Sequence, residues 1–256
     1  SFKKLNFLLQ NPPFPAETFA NLLLLYAKVE CFDLAADVMA ENTDLTLQCI
    51  DARDNEFIDA LIYQHASPEE AERKLAALAS TQTEQLRRIA QSIKEAQGEK
   101  DNELLQEALR QYDEALERAV PVLMAQAKIH WNREEFARVE TLLLSAKEYC
   151  SINDTWRLNL AHCYFAQEKY AEALTYYSAI YEKSVPHVLE VPAIVVANLC
   201  VTCIMANHNE RAEEIIHALE EAELQAEEQS PAQPRYHLCI VNLVIGTLYC
   251  SKNNFH

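Results

Sequence analysis

The sequence predicts an all-α protein built as a solenoid of stacked helix pairs. Three observations carry that prediction. The 256 residues include only two glycines, too few for the tight turns that β-hairpins need. Alanine, leucine and glutamate are plentiful, which favours helix. The third is a recurring two-helix pattern, clearest between Asp154 and Pro186. There Leu160, Ala161 and Tyr164 share one helical face. Across the polar break Gln167-Glu168-Lys169, Tyr170, Ala173, Tyr177 and Ile180 share another. The small Ala161 and Ala173 let the two helices approach, and the tyrosines fill the gap. A helix pair this short leaves one face uncovered, so neighbouring pairs are expected.

Laying the same frame along the chain gives repeat starts near 16, 52, 86, 120, 154, 193 and 239. The intervals are 36, 34, 34, 34, 39 and 46 residues. Three successive intervals of 34, with large, small and aromatic residues in fixed order, resemble the tetratricopeptide repeat, a unit of about 34 residues. That resemblance implies a right-handed tetratricopeptide-repeat superhelix, an α-solenoid, running as a single domain over residues 1–256.

The elements follow in order. Phe2, Leu5, Leu8 and Leu9 stripe a helix ending near Gln10, stopped by Asn11-Pro12-Pro13-Phe14-Pro15; it is expected to be the second half of a repeat. Glu17 to Ala40 carries the next pair, with Leu22, Leu23 and Tyr26 on the first helix and Phe32, Ala35 and Met39 on the second. The repeat near 52 is irregular, because Asp59 takes a normally small apolar place. Its second helix opens with Ser67 as cap, Pro68 in the first turn and Glu70 completing a capping box.

Residues 81–119 are expected to form an elongated, charged helix hairpin. Thr81 to Gln97 and Asp101 to Ala119 are its arms around Gly98, with Leu105, Leu109, Tyr112 and Leu116 as the seam. Such a hairpin either projects without a partner or docks one. Regular repeats resume with Leu123, Ala127, Phe136, Val139 and Leu143 as packing residues, then the 154 repeat. Another follows with Leu199, Cys200, Cys203, Ala212 and Ile216. The last holds Ile245, Gly246, Tyr249 and Phe255 and stops at His256 before its second helix. The half repeats, and a first residue Ser1 rather than methionine, lead us to expect a solenoid truncated at both ends.

The formal net charge of −17 argues against nucleic acid and anionic membrane as main partners. The run Glu220, Glu221, Glu223, Glu227, Glu228 is expected to be an exposed helix end and loop. The longest uncharged runs, Val191 to Asn209 and His237 to Ser251, are interrupted by polar residues and predict buried helices rather than membrane spans. Eight cysteines sit mostly among apolar residues, as in a reduced, cytoplasmic protein. Cys200-x-x-Cys203 lies inside an apolar run and lacks the second ligand pair that zinc needs. His162 and Cys163 are adjacent, and adjacent helical side chains diverge by about 100°. With no Gly-rich phosphate loop and no nucleophile elbow, we expect no catalytic residues, no metal and no cofactor.

In the resembled fold, first helices line a concave groove. The side chains left for it after packing are Leu24, Met124, Trp131, Leu158, Phe165, Val201, Ile204 and Leu243, with Lys128 as the one cation. Such a surface suits an extended hydrophobic or proline-rich segment. Asn21, Asn159 and Asn198 each stand one residue before a packing leucine, and Asn242 is displaced from that place by two. Their amides would bond either a partner's backbone or backbone within their own solenoid.

Six segments carry a more specific resemblance: NLLLLY at 21–26, FDLAADV at 32–38, TEQLRR at 83–88, VLMAQAKI at 122–129, ANLCV at 197–201 and HLCIVNLVIGTLYC at 237–250. In that order the chain resembles the seventy-kilodalton tetratricopeptide subunits of the intraflagellar transport B complex. The resemblance implies a non-catalytic scaffold for cilium assembly, in the cilium or flagellum and at the basal body, on the cytoplasmic side. It implies a superhelix wrapped around a proline-rich segment of the fifty-two-kilodalton intraflagellar transport subunit, beside other subunits of the complex. The alternative is a transient cargo or co-chaperone-type adaptor using the charged convex surface or the 81–119 hairpin.

Overall fold

The computed structural model describes residues 2–11, 13–15, 17–99, 101–229 and 235–251, and within them the chain is helix and turn. It divides into two units, Ser1–Glu134 and Glu135–His256. The first unit holds α1 (Phe2–Gln10), α2 (Glu17–Lys28), α3 (Phe32–Glu41), α4 (Thr43–Cys49), α5 (Ala52–Ala66), α6 (Pro68–Glu99) and α7 (Asn102–Asn132). The second holds α8 (Phe136–Ser145), α9 (Lys147–Cys150), α10 (Asp154–Ala166), α11 (Tyr170–Ser184), a 3-10 turn (Val188–Glu190), α12 (Ala193–Met205), α13 (Asn209–Gln229) and α14 (His237–Ser251). The expected stop at Pro12 and the packing residue Phe255 lie outside the described residues.

Most helices pack on a sequence neighbour, while α5 reaches past the short α4 to α3, α10 past the short α9 to α8, and α12 also packs on α14. This is the arrangement of a repeat-like helical array. Its regularity shows in the turns. Four non-glycine residues have positive φ: Glu30 (61°), Glu134 (58°), Glu168 (58°) and Asn207 (62°). Each lies fourteen positions after one of the repeat starts at 16, 120, 154 and 193. At three of them the next N–H reaches back to the last helical turn: Cys31 to the Tyr26 carbonyl (2.9 Å), Lys169 to Tyr164 (2.9 Å) and His208 to Cys203 (2.8 Å). This is the left-handed helix stop that glycine usually supplies, made here by glutamate and asparagine in a glycine-poor chain.

In the first unit one core cluster joins α5, α6 and α7 through Ala60, Ala71, Leu75, Leu78, Val122, Ala125 and Ile129. A second joins Phe19 and Leu23 of α2 to Ile50 and Ile58. Pro68 opens α6 as expected, directly after Ser67, whose N–H closes α5 on the Tyr63 carbonyl. The hairpin is longer than the sequence predicts. No breaker separates Pro68 from Glu99, so the second helix of the 52 repeat and the first hairpin arm are one helix. The other arm runs through Pro121 to Asn132. Its seam also differs. Ala108, Ala115 and Ala119 are buried on α7, with Leu86 and Ala96 on α6, while Leu109 is 44% exposed and Leu105, Tyr112 and Leu116 are half-buried. Small side chains at a helix contact allow a shorter interaxial distance, which leaves the leucines flanking it.

In the second unit Leu160, Ala161, Tyr164, Ala173 and Tyr177 are buried, as is Trp156, whose Nε1–H donates to the Leu143 carbonyl at 2.8 Å. On α13 Ala212, Ile215 and Leu219 are buried, with Ile216 half-buried. The acidic run stays helical to Gln229, and Glu223 accepts the Leu238 N–H at 3.2 Å, capping α14. α12 is buried as expected, but α14 is not. It packs against α12 and α13 yet leaves Leu243, Tyr249, Cys239 and Cys250 exposed. Gly246 is exposed, and a Cβ there would meet nothing within 4 Å, so it marks no close helix approach.

Candidate binding surfaces

In the first unit the helical period turns Leu22 and Leu23 of α2 into the core and leaves Asn21 exposed and Leu24 37% exposed. Leu24 lines a pocket of about 200 Å³ with Ala20, Phe57, Ile58, Pro121 and Val122, rimmed by Arg53, Asp54, Glu117 and Arg118. Gln82 also lines it, and the buried Oε1 of Gln82 accepts no hydrogen bond. Met124, half-buried, and Trp131, 38% exposed, lie further along α7 and are not among its lining residues. Lys128 is paired with Glu30 at 3.0 Å. Sequence reasoning missed Phe57, Gln82 and Pro121, because only the folding of α5 and α6 onto α7 brings them beside Leu24.

In the second unit Leu158 and Ile204 are half-buried and Leu243 is 66% exposed. Phe165 is half-buried and packs edge-on against Tyr170 (5.9 Å between centroids) and Tyr177 (6.4 Å). Val201 departs from the groove expectation. It is 4% exposed, enclosed on the α12 face that packs within the unit. The asparagines do not share one environment. Asn159 donates to its own helix, to the Thr155 carbonyl at 2.8 Å. Asn198 donates to the Tyr177 hydroxyl at 3.4 Å, and Asn242 is exposed.

The polar groups here are arranged for packing. Burial lowers the His162 pKa and raises that of Tyr177. Burial pushes Cys200 up to about 12 and also raises Cys203, the opposite of an activated thiolate. Cys163 donates to the Phe136 carbonyl at 3.3 Å, while His162 Nδ1 meets the Tyr177 hydroxyl. Burial acts to raise Glu140, but hydrogen bonds from Lys169 (2.6 Å) and Gln167 (2.9 Å) outweigh it and leave its pKa lowered. Among the described residues, no group of three or more His, Cys, Asp or Glu converges as a metal site. Among them also, no helix is long and apolar enough to cross a membrane.

Packed helix pairs with turns at a fixed offset, and apolar side chains left half-exposed beside them, define an all-α, repeat-like helical protein. The model of the intraflagellar transport protein 70 C-terminal domain matches residues 18–256. Intraflagellar transport protein 70A1 of Mus musculus is 51% identical over 255 residues, 99% of this chain and 38% of that protein. Intraflagellar transport protein 70A of Homo sapiens gives the same identity and coverage, and that of Danio rerio is 51% identical with 39% of its length covered. The chain belongs to the intraflagellar transport protein 70 family, and spans less than half the length of these relatives.

Proposed function

We propose that this chain is a non-catalytic scaffold segment of the intraflagellar transport B complex, acting in the cilium and at the basal body on the cytoplasmic side. Its helix pairs serve as tetratricopeptide units, a reading supported by the left-handed turns at equal offsets. Its occupant is an extended, proline-rich segment of the fifty-two-kilodalton subunit, alongside other subunits of the complex. The observation that carries this reading is the Leu24 pocket, apolar in its walls and holding an unpaired buried acceptor at Gln82. Apolar walls suit proline rings, and a lone amide oxygen suits a peptide N–H. In the second unit Leu158, Phe165 and Ile204, half-buried, and Leu243, exposed, are the apolar side chains left for further contact, and Asn198 would have to leave the Tyr177 hydroxyl to join them.

Calorimetry of the full-length protein with the proline-rich segment tests it. Binding should persist in high salt, because burial of apolar side chains is little screened. Binding that vanishes in salt would instead favour a transient adaptor using the charged convex surface or the hairpin, whose arms expose Glu84, Arg88, Arg110 and Glu114.

A further inference from the structure

The face made by α3, α4 and α5 carries a separate groove of about 480 Å³. Met39 and Ile62 wall it, Ala36, Ala40 and Ala66 leave it open, and Leu47 (76% exposed) and Tyr63 (40% exposed) stand at its edge. None of Asn21, Leu24, Met124 or Trp131 lines it. Asn55 does, and its buried Oδ1 accepts no hydrogen bond. The two helices at its edge are acidic: Asp33, Asp37, Glu41 and Asp44 are exposed on α3 and α4, and neither helix contains a Lys or Arg. Arg53 is directed to Gln85 at 3.2 Å. Asp33 and Asp37 are exposed in the helical row of Ala36 and Ala40, and Asp59 pairs with Lys74, which also lies 4.1 Å from the centre of the Tyr63 ring.

We propose that this groove docks a basic amphipathic helix of a partner protein. A neutral apolar segment would fill the groove and leave the rim carboxylates uncompensated. A hydrophilic cationic segment would answer the charge and leave Leu47, Met39 and Ile62 uncovered. A helix with an apolar stripe flanked by lysines or arginines satisfies both, and three helices of this chain form a channel of the kind that takes such a stripe. The acidic field steers it in, and the apolar contacts hold it.

The test is fluorescence anisotropy of the full-length protein with a labelled synthetic helix. Its leucines recur at i, i+3, i+4 and i+7, with lysines elsewhere. A scrambled peptide of the same composition, with its leucines spread around the helix, is the control. The amphipathic helix is expected to bind, to weaken with salt, and to exceed the scrambled peptide by about tenfold. Leu47→Ser and Asp37→Lys, both at exposed positions, should each weaken it by about tenfold with an unchanged circular dichroism spectrum. Equal binding of both peptides, wild-type affinity in both variants, or no binding to the wild type would overturn the proposal.

Discussion

The Tyr177 hydroxyl lies 2.6 Å from His162 Nδ1 and 3.4 Å from Asn198 Nδ2, joining α11 to α10 and α12 through one buried oxygen. The asparagine amide donates to the phenol oxygen, and the phenol and the imidazole share the second hydrogen bond, its direction set by the imidazole tautomer. Tyr177 is fully buried, so removing its hydroxyl strands two polar groups at once. Tyr177→Phe should lower stability by about 1–3 kcal/mol at neutral pH, read from urea unfolding. A change within error would mean that the two partners find water instead.

The burial of His162 gives a pH dependence with a defined sign. Burial holds the His162 pKa below its ordinary value of 6.5. The unfolded chain thus takes up a proton before the folded one does. The contribution is fully present above about 6.5 and is lost as pH falls from there toward the lowered folded value. The urea midpoint should fall between pH 7.5 and 5.5 in the wild type, and fall less in His162→Gln. Parallel profiles would remove His162 as the cause.

The left-handed turns predict a gain. A non-glycine residue at φ near 58° carries a clash between Cβ and carbonyl oxygen that glycine lacks. Glu168 has φ 58° and is exposed in the turn between α10 and α11. Glu168→Gly should raise stability by about 0.5–1 kcal/mol, less the entropy glycine adds to the unfolded chain. Glu134→Gly, at φ 58° and exposed, tests the same turn after α7. A loss of stability in both would show that the glutamate side chains contribute contacts of their own.

These turns also mark what the sequence disclosed. The interval of 34 residues is a backbone period, and the backbone answers it at Glu134 and Glu168. Side-chain facing was legible where a pair of helices packs tightly, as at Leu160, Ala161, Tyr164, Ala173 and Tyr177. It failed where the partner was misjudged. A one-residue shift turns a side chain by about 100°, enough to put Ile215 rather than Ile216 inside. On the hairpin, leucine spacing pointed to a seam, but close contact favoured Ala108, Ala115 and Ala119. Trp156 escaped notice because its role needs the Leu143 carbonyl, thirteen positions away on the far side of α9.

Trp156 therefore makes a sharp test of the α8–α10 contact. Its side chain is 1% exposed, and its Nε1–H holds the Leu143 carbonyl at 2.8 Å. Trp156→Phe keeps an aromatic ring but forfeits the hydrogen bond and leaves a small void, with an expected loss of about 1–3 kcal/mol. Trp156→Ala should lose about 3–5 kcal/mol. Equal losses in the two would mean that the hydrogen bond, rather than the ring volume, carries the contact.

Burial separates the proposed groove residues into those that test binding and those that test folding. Leu24 is 37% exposed and Leu158 is half-buried, so a carboxylate at either keeps access to water. Leu24→Glu and Leu158→Glu should retain helix content while weakening the proline-rich segment by about tenfold or more. Val201 is 4% exposed on a helix packed between its neighbours. A charge there has neither partner nor solvent, so Val201→Glu should destabilise the second unit whether or not a ligand is present. Val201→Ala would remove only packing, at a loss of about 1–3 kcal/mol. Circular dichroism and calorimetry on the same samples read both effects. Leu24→Glu and Leu158→Glu proteins that fold and bind like the wild type would remove those side chains from the groove. A Val201→Glu protein as stable as the wild type would show that this face of α12 opens to water.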